Sequence, residues 1–568
     1  MLLLFFGMKW WTAMHAQTPL LPEYNRGFDL MRGWIVQGKT KRTPPGFSRE
    51  IEYQNLYRTL TDDGFVDQMS MPSRGKDSTL AHWSKNLASY NLYLGGKLKN
   101  PPYTDRRTGW RSYFYPYNGS MFQWEEKNYT FQLNPLLRAS AGIVQENDPS
   151  TLIENTRGFV IEGAVDHRFF FYSRIVETQR HLLPNERAVL EQTKSVPFAG
   201  SFKEFTIRPF KDQRAIDFNN SEGYFGYQLS PSFRVQIGQG RHFIGSGYRS
   251  LLLSDFGKSY FYGQLDWSFG PVFYRNLYTS MIARTRQDLN HDALLPKKYM
   301  AAHLLGFNLP FGMQVAFYEA VIHSRNNRFE LSYLNPIIFY RSVEFNLGSP
   351  DNILIGGDAR WDIAHLFTFY GQLLIDEFNL PEIRHFKKGW WGNKFGLQLG
   401  LFYPDALGIA HLDLRVEYNT VRPYTYTHRD SIRSYAHYNQ PLAHPWGANF
   451  KELIFQASYR PTDKWAVRAG WISGCRGLDL PGENNGANIL NSHKSGVSQY
   501  GNYTCQGDLH KVNILSLDLS YMFLQQYYLD VRLLRRYEMV EDPARPSPGF
   551  FYGSIGIRAN TGLSTIDY

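Results

Sequence analysis

The stretch Leu412-Asp413-Leu414-Arg415-Val416-Glu417-Tyr418 alternates apolar and charged residues without a break. On a helix its three charges would scatter around the cylinder, whereas on a strand they form one polar face and the apolar side chains the other. The same period recurs in Leu515, Leu517, Leu519 and Tyr521 against Ser516, Asp518 and Ser520. It recurs again in Leu529, Val531 and Leu533 against Asp530 and Arg532, and in Phe233, Val235 and Ile237 against Arg234 and Gln236. In a sandwich the apolar face would be a core; in a transmembrane barrel it meets lipid and the charged face lines the lumen.

Connection lengths separate those two architectures. Reading back from the C-terminus, strands are expected at 550–559, 527–537, 512–523, 465–473 and 452–459. A Pro-rich loop spans 539–549, a tight turn 524–526, a long loop 474–511 and the turn Arg460-Pro461-Thr462-Asp463. Long and short connections alternate, as they do when one end of every hairpin faces the periplasm and the other the outside. Further strands are expected near 410–420, 393–402, 366–376, 354–362, 312–322, 300–308, 270–284, 259–267, 232–240, 223–229, 167–178, 157–165 and 128–143. The expected fold is therefore all-β: a transmembrane antiparallel up-and-down barrel of about eighteen strands over 127–568, an even number as a single chain requires. Tyr568 ends the sequence as terminal aromatics of such barrels commonly do.

Composition agrees. Aromatic residues make up 16% of 568 residues, with 38 Tyr and 41 Phe, yet mean hydropathy is −0.41. A lipid-facing band with aromatic girdles around a wet interior accounts for both values. No stretch approaches the roughly twenty apolar residues of a membrane helix. The apolar run Met1 to Gly7, followed by Met8-Lys9-Trp10-Trp11 and Ala13-Met14-His15-Ala16-Gln17, reads as a signal peptide over 1–16, although a basic n-region before it is missing. Residues 17–126 form a separate N-terminal segment expected on the periplasmic side. In it, Leu80, Trp83, Leu87, Tyr90 and Leu94 follow helical spacing behind Ser78, so 79–94 is expected to be one amphipathic helix.

Cys475 and Cys505 lie thirty positions apart in one Gly/Asn/Ser-rich stretch, with no metal-ligand spacing nearby, and are expected to form a disulfide. The 61 basic and 51 acidic residues give a net charge of +10, but the basic residues are dispersed, so no nucleic-acid partner is expected. Lipopolysaccharide and acidic glycans are the natural anionic partners in this compartment. GxSxG, HExxH and Walker patterns are absent, so neither an enzyme, a cofactor nor a metal is expected.

The most unusual segment runs from Gly240 through Arg241, His242, Phe243, Ile244, Gly245, Ser246, Gly247, Tyr248, Arg249, Ser250, Leu251, Leu252, Leu253 and Ser254 to Asp255. Its glycines permit close backbone approach, and Arg241, His242, Tyr248, Arg249 and Asp255 supply donors and charge. Two readings stand: a ligand-contacting constriction, or an inward-folded loop whose charges pair with the lumen wall. Asp376, Glu377, Tyr424 and Tyr426 complete the set of candidate glycan contacts, the tyrosines within Arg422-Pro423-Tyr424-Thr425-Tyr426.

With that segment, Tyr333-Leu334-Asn335-Pro336, Tyr370-Gly371-Gln372-Leu373-Leu374-Ile375-Asp376-Glu377-Phe378 and Tyr438-Asn439-Gln440-Pro441-Leu442-Ala443-His444-Pro445-Trp446-Gly447-Ala448-Asn449 occur in order. Together they resemble the Wzi-type capsule-assembly barrels, and in particular the Bacteroidetes branch with RemB-like gliding proteins. The resemblance spans about 128–568. It implies an eighteen-stranded outer-membrane barrel with periplasmic N-terminal helices and lectin-like holding of exported polysaccharide. Ser246 departs from it, standing where an acidic or amide residue is expected, and the tryptophan-rich form of the motif is absent. The alternative function is a structural accessory subunit of a gliding, secretion or outer-membrane assembly complex.

Overall fold

The computed structural model describes residues 121–568 except 127–128, 147–148, 167, 208–209, 231, 287–293, 338, 365, 378–379, 384–385, 463, 525, 542–548 and 564–565. The signal peptide and the helix expected at 79–94 lie outside the described residues.

Eighteen antiparallel strands close on themselves. In chain order they are β1 (Tyr129–Gln145), β2 (Pro149–Val165), β3 (Phe169–His181), β4 (Phe210–Ser230), β5 (Phe233–Gly240), β6 (Tyr260–Phe269), β7 (Val272–Ile282), β8 (Lys297–Leu309) and β9 (Met313–His323). They continue as β10 (Asn352–Ile363), β11 (Phe367–Glu377), β12 (Lys394–Tyr403), β13 (Leu412–Val421), β14 (Phe450–Thr462), β15 (Trp465–Leu478), β16 (Asp508–Leu524), β17 (Tyr527–Val540) and β18 (Gly549–Ala559). Each pairs with its sequence neighbours, and β18 pairs with β1 from Leu137↔Ala559 to Gln145↔Phe551, which removes both edges of the sheet. All eighteen strands expected from alternation are present, most within two or three residues at either end.

Several boundaries differ more: the strand expected at 157–165 begins at Pro149, the one expected at 465–473 runs to Leu478 and the one expected at 512–523 begins at Asp508. The strand expected at 223–229 begins at Phe210, because its upper half passes beyond the alternating band and pairs with a short strand, Lys203–Ile207. Phe122–Glu126, assigned from sequence to the N-terminal segment, pairs with the lower part of β1.

Exposure follows the alternation. Leu399, Leu515, Leu529, Leu533, Ile555 and Ile557 are exposed around the outer wall, whereas Asp413, Glu417, Ser520, Asp530 and Arg558 are buried inside. A closed wall with this apolar exterior satisfies its backbone internally and spans a bilayer, which places the protein in an outer membrane. Short turns such as Gly270–Pro271 mark the periplasmic end; the long connections 241–259, 324–351, 422–449 and 479–507 leave the opposite, extracellular end.

The hydrophobic core sits inside the lumen. Leu251, Leu252 and Leu253 are wholly buried among Met300, Ala302, Leu304, Leu354, Leu374 and Ile454, all from lumen-facing positions of the wall. The lumen faces of those strands are thus apolar where they meet the plug, as Met300, Ala302 and Leu304 of β8 show.

The last strand ends at Ala559, and Tyr568 is not part of it. Residues 560–563 and 566–568 lie inside the barrel instead. Arg138 donates to the Gly562 carbonyl, Arg249 to that of Asp567 (2.6 Å) and Arg536 to that of Tyr568 (2.7 Å). The Tyr568 ring lies edge-on to Phe198 and Phe256, and its hydroxyl donates to Glu186 on the helix α1 (Pro184–Thr193) of an extracellular connection.

Candidate functional site

The glycine-rich segment drops from the end of β5 into the lumen and crosses to the opposite wall. Gln372, Gln398 and Asn419 are successive register partners on β11, β12 and β13, and Asn419 faces Glu452 on β14, so the row crosses four strands at one level. This row holds the loop backbone. Gln372 donates to the Ile244 carbonyl (3.0 Å) and accepts from the Leu251 amide (2.7 Å); Gln398 donates to the Arg249 carbonyl (2.9 Å). Glu417, on the lumen side of β13, accepts from the amides of Tyr248 (2.5 Å) and Arg249 (2.9 Å) and from the Tyr370 hydroxyl (2.8 Å). A backbone taken out of water must have such partners, and here the wall side chains supply them.

The glycines are needed for this approach. A Cβ on Gly245 would lie 1.9 Å from the Gln372 amide nitrogen, and Gly245 has φ +130°; one on Gly247 would lie 2.6 Å from Gln398. Only a residue without a side chain fits there.

Arg241, His242, Tyr248 and Arg249 are partnered with the lumen wall and the C-terminal segment. Arg241 bridges Glu222 (2.7 Å) and the Asp255 carbonyl (2.8 Å), which is where the structure places Asp255. His242 lies between Tyr260 and Gln264, each at 3.1 Å. Tyr248 donates to Asp567 (2.5 Å), while Arg249 reaches Glu452 (3.4 Å). His444, whose burial lowers its pKa, meets the same Glu452 at 2.7 Å. The inward-folded reading of the loop is the one realised.

Above the plug, three connections form an extracellular cap. Asp376 accepts from the Tyr426 amide (2.6 Å), and Glu377, half exposed, pairs with Lys394 (3.0 Å). The Tyr424 and Tyr426 rings are buried, with their hydroxyls on the carbonyls of Asn484 (2.8 Å) and Leu251 (2.7 Å). They fix the cap to the plug and present no free face for sugar stacking in this conformation. Cys475 and Cys505 are disulfide-bonded, with Cα atoms 5.9 Å apart, as expected from the sequence. Burial holds both His437 and His493 at a pKa of about 3, so the cap is packed around neutral imidazoles at ordinary pH.

The outer surface of the cap contains groups that sequence reasoning missed. Tyr503 donates to the Lys387 carbonyl (2.7 Å), and the Gly501 and Asn502 amides donate to those of Lys388 (2.8 Å) and Gly389 (2.9 Å). This pairing sets the exposed rings of Tyr500 and Tyr503 beside the exposed Lys387 and Lys388. The signal was Lys387-Lys388 followed by Trp390-Trp391 in one loop, but its neighbour lies over a hundred positions away.

Beneath the plug a cavity of about 490 Å³ remains, lined by nine arginines and five carboxylates. Most pair, as in Arg138–Glu154 (3.0 Å) and Arg460–Asp413 (2.8 Å). Arg415 instead lies over the Phe402 ring at 5.3 Å, and Arg468 is exposed to the cavity. Among the described residues, no group of three or more His, Cys, Asp or Glu side chains is placed to hold a metal ion.

No family model matches this sequence, and no curated protein matches it. Solved structures do. Wzi of Escherichia coli, an outer-membrane protein involved in group 1 capsule assembly and described as a carbohydrate-binding β-barrel, matches at 12% identity with a TM-score of 0.53. The match covers 96% of this chain and 100% of that one. OprD of Pseudomonas aeruginosa matches at 9% identity and a TM-score of 0.40 over 75% of this chain and 93% of its own. OccAB4 of Acinetobacter baumannii matches at 8% identity and a TM-score of 0.39 over 76% and 97%. The outer-membrane β-barrel fold, derived first from alternation, is thus shared with the Wzi structure.

Proposed function

We propose that this barrel is a non-enzymatic surface protein that holds an exported acidic polysaccharide through its extracellular cap. The observation that carries the reading is a plugged lumen under a rigid cap whose outer face presents Tyr500 and Tyr503 beside Lys387 and Lys388. Exposed rings stack on sugar faces, and ammonium groups attract uronate, pyruvate or phosphate substituents. The carbohydrate binding described for the Wzi barrel supports the same reading. Of the sequence candidates, Arg241, His242, Tyr248, Arg249, Asp255, Asp376, Tyr424 and Tyr426 act in this proposal as the frame that positions the cap. Glu377 stands at its edge.

The test is glycan binding by the purified full chain, with Tyr500→Ala/Tyr503→Ala and Lys387→Gln/Lys388→Gln as variants. Acidic polysaccharide binding by the parent protein, weakened by each double substitution, is expected. Undiminished binding in both variants overturns the cap as the contact surface. A steady conductance of the parent protein in planar bilayers would instead support a diffusion porin. Loss of gliding with glycan retention intact in a deletion strain would support the accessory-subunit alternative.

A further inference from the structure

The lower lumen carries a charge imbalance that the plug does not resolve. The cavity of about 490 Å³ has Tyr248, Arg249 and Ser250 of the plug as its roof. At the other end its lining reaches the last turns of the wall. Asp413 follows the first residue of β13, Ala466 that of β15 and Tyr528 that of β17, and Arg558 precedes the last residue of β18. These are the periplasmic ends of those strands, so the cavity extends to the periplasmic rim.

On one side of it the lumen-facing positions form two rows. Asp413, Ser458, Arg468 and Asp518 are successive register partners on β13 to β16, and Arg415 and Gln456 stand two residues higher on β13 and β14. Both carboxylates of the lower row are engaged by other arginines, Asp413 by Arg460 (2.8 Å) and Asp518 by Arg532 (2.8 Å). Arg415 and Arg468 therefore have no ion pair or side-chain hydrogen bond among the described residues. Across the cavity, by contrast, Arg138 and Arg558 each have a carboxylate of their own, at 3.0 and 2.6 Å. The Arg415 guanidinium lies over the Phe402 ring at 5.3 Å, a contact that occupies its flat face and leaves its N–H edge for a ligand. Gln456 and Ser458, on the strand between the two arginines, also line the cavity, and their side chains make no hydrogen bond among the described residues.

We propose that this chamber is an anion site facing the periplasm, in which Arg415 and Arg468 hold the carboxylate or phosphate of an acidic sugar. Guanidinium forks match the oxygens of either group, and a concave wall concentrates the field of two cations that no protein anion neutralises. The volume is that of a small-molecule site and leaves room beyond a bare ion. Gln456 and Ser458 offer neutral donors and acceptors, the chemistry that sugar hydroxyls require. The plug separates this site from the cap, so the inference stands independently of any glycan bound outside.

The test is isothermal titration calorimetry of the full chain carrying Lys387→Gln/Lys388→Gln, which removes those two lysine cations from the cap. The probes are digalacturonate, glucose 1-phosphate, inorganic phosphate and maltose. Binding of an acidic sugar without binding of maltose is expected; digalacturonate alone marks the ligand as a uronate, glucose 1-phosphate alone as a sugar phosphate. Adding Arg415→Gln/Arg468→Gln should weaken that binding at least about tenfold through the loss of two charge-assisted contacts. Adding Lys464→Gln, at the neighbouring periplasmic turn and outside the cavity, should leave it unchanged. Heat-modifiable migration on gels verifies that each variant has folded. Access is read with Ser458→Cys, which gives the chain one free thiol because Cys475 and Cys505 are bonded to each other. A charged maleimide should label it in cells with a permeabilised outer membrane and not in intact cells, and the bound sugar should slow the reaction. Undiminished binding in the folded arginine variant overturns the proposal, as does equal weakening by Lys464→Gln. Inorganic phosphate that binds as tightly as the sugars overturns it too, as does a chain that binds no acidic sugar. Labelling in intact cells overturns the periplasmic opening, and a thiol unreactive on both sides shows a chamber closed to solutes, which also overturns it.

Discussion

Two long connections of this barrel leave the same end and take opposite paths, 241–259 into the lumen and 324–351 down the outer wall. Each inverts the polarity of the wall that it covers. Where the first enters, lumen positions that ought to be polar are apolar (Met300, Ala302, Leu304, Leu354) and pack on Leu251 to Leu253. Where the second descends, positions that ought to be apolar are Asn276, His303, Glu319 and His323, and they bond or pack against the connection. Alternation is therefore a rule about the solvent on each side of the wall. A covering loop replaces that solvent, and the rule changes locally with it.

The largest effect should come from the inner loop. Glu417→Ala leaves two buried amides without an acceptor, at a cost of about 3–5 kcal/mol, and should release the plug into a conducting, protease-sensitive state. Glu417→Gln, which keeps one of the two acceptor oxygens, should recover part of the closure in bilayer recordings. A closed Glu417→Ala barrel would mean that the apolar contacts of Leu251 to Leu253 hold the loop by themselves.

Next comes the cap above it. Removing the disulfide with Cys475→Ser/Cys505→Ser frees a loop closed over thirty positions and should cost about 2–4 kcal/mol, most of it local to the cap. Protease added to intact cells should then cut 479–507 faster, while the turn around Lys464 stays protected on the periplasmic side. Cleavage at that turn in the parent protein would invert the assigned orientation.

On the outer wall, Glu319→Gln keeps an acceptor oxygen for one of the first two amides of helix α2 (Tyr340–Leu347) and removes the charge that complements its N-terminus. A loss of about 0.5–2 kcal/mol is expected, read as faster hydrogen exchange confined to 324–347. An effect as large as that of Glu417→Ala would show that the outer clasp is as tightly coupled to the wall as the inner one.

A separate test of the cap is its response to pH. His437 and His493 have folded pKa values of about 3 against an ordinary value near 6.5, so the unfolded chain binds the proton first. Their contribution is complete above pH 6.5 and declines as pH falls toward 3. His437 faces Lys258 and Lys298; His493 faces Lys394, His428 and Lys494, so neither gains an anionic partner on protonation. Proteolysis of the cap should increase between pH 7 and pH 4 while the barrel wall, by infrared amide bands, stays unchanged. Equal cleavage at both values would mean that neither imidazole is shielded from water.

The barrel was legible in the sequence because alternation such as that of 412–418 records a wall between lipid and water. The start of β4 at Phe210 was not, because its upper part stands beyond the lipid, where neither face has a fixed solvent. Arg241 and Arg249 were recognisable as unusual, yet their partners Glu222 and Glu452 are set by barrel closure and not by spacing. Tyr424 and Tyr426 resembled sugar-stacking rings because exposed and buried tyrosines look alike in a sequence. The outer clasp did leave a trace: Asn276, His303 and Glu319 interrupt the apolar face of three consecutive strands.

Gly562 bonds to Arg138 near the periplasmic rim at Ala559, and Asp567 and Tyr568 bond to Arg249 and Arg536 beneath the extracellular plug. They act as a tie-rod through the hollow of the barrel. A pull on this segment from the periplasm would reach Tyr248 and Arg249 through Asp567, and load on the cap would be carried down to the opposite rim. The two surfaces of the membrane are thereby joined by a mechanical linkage that does not pass through the wall.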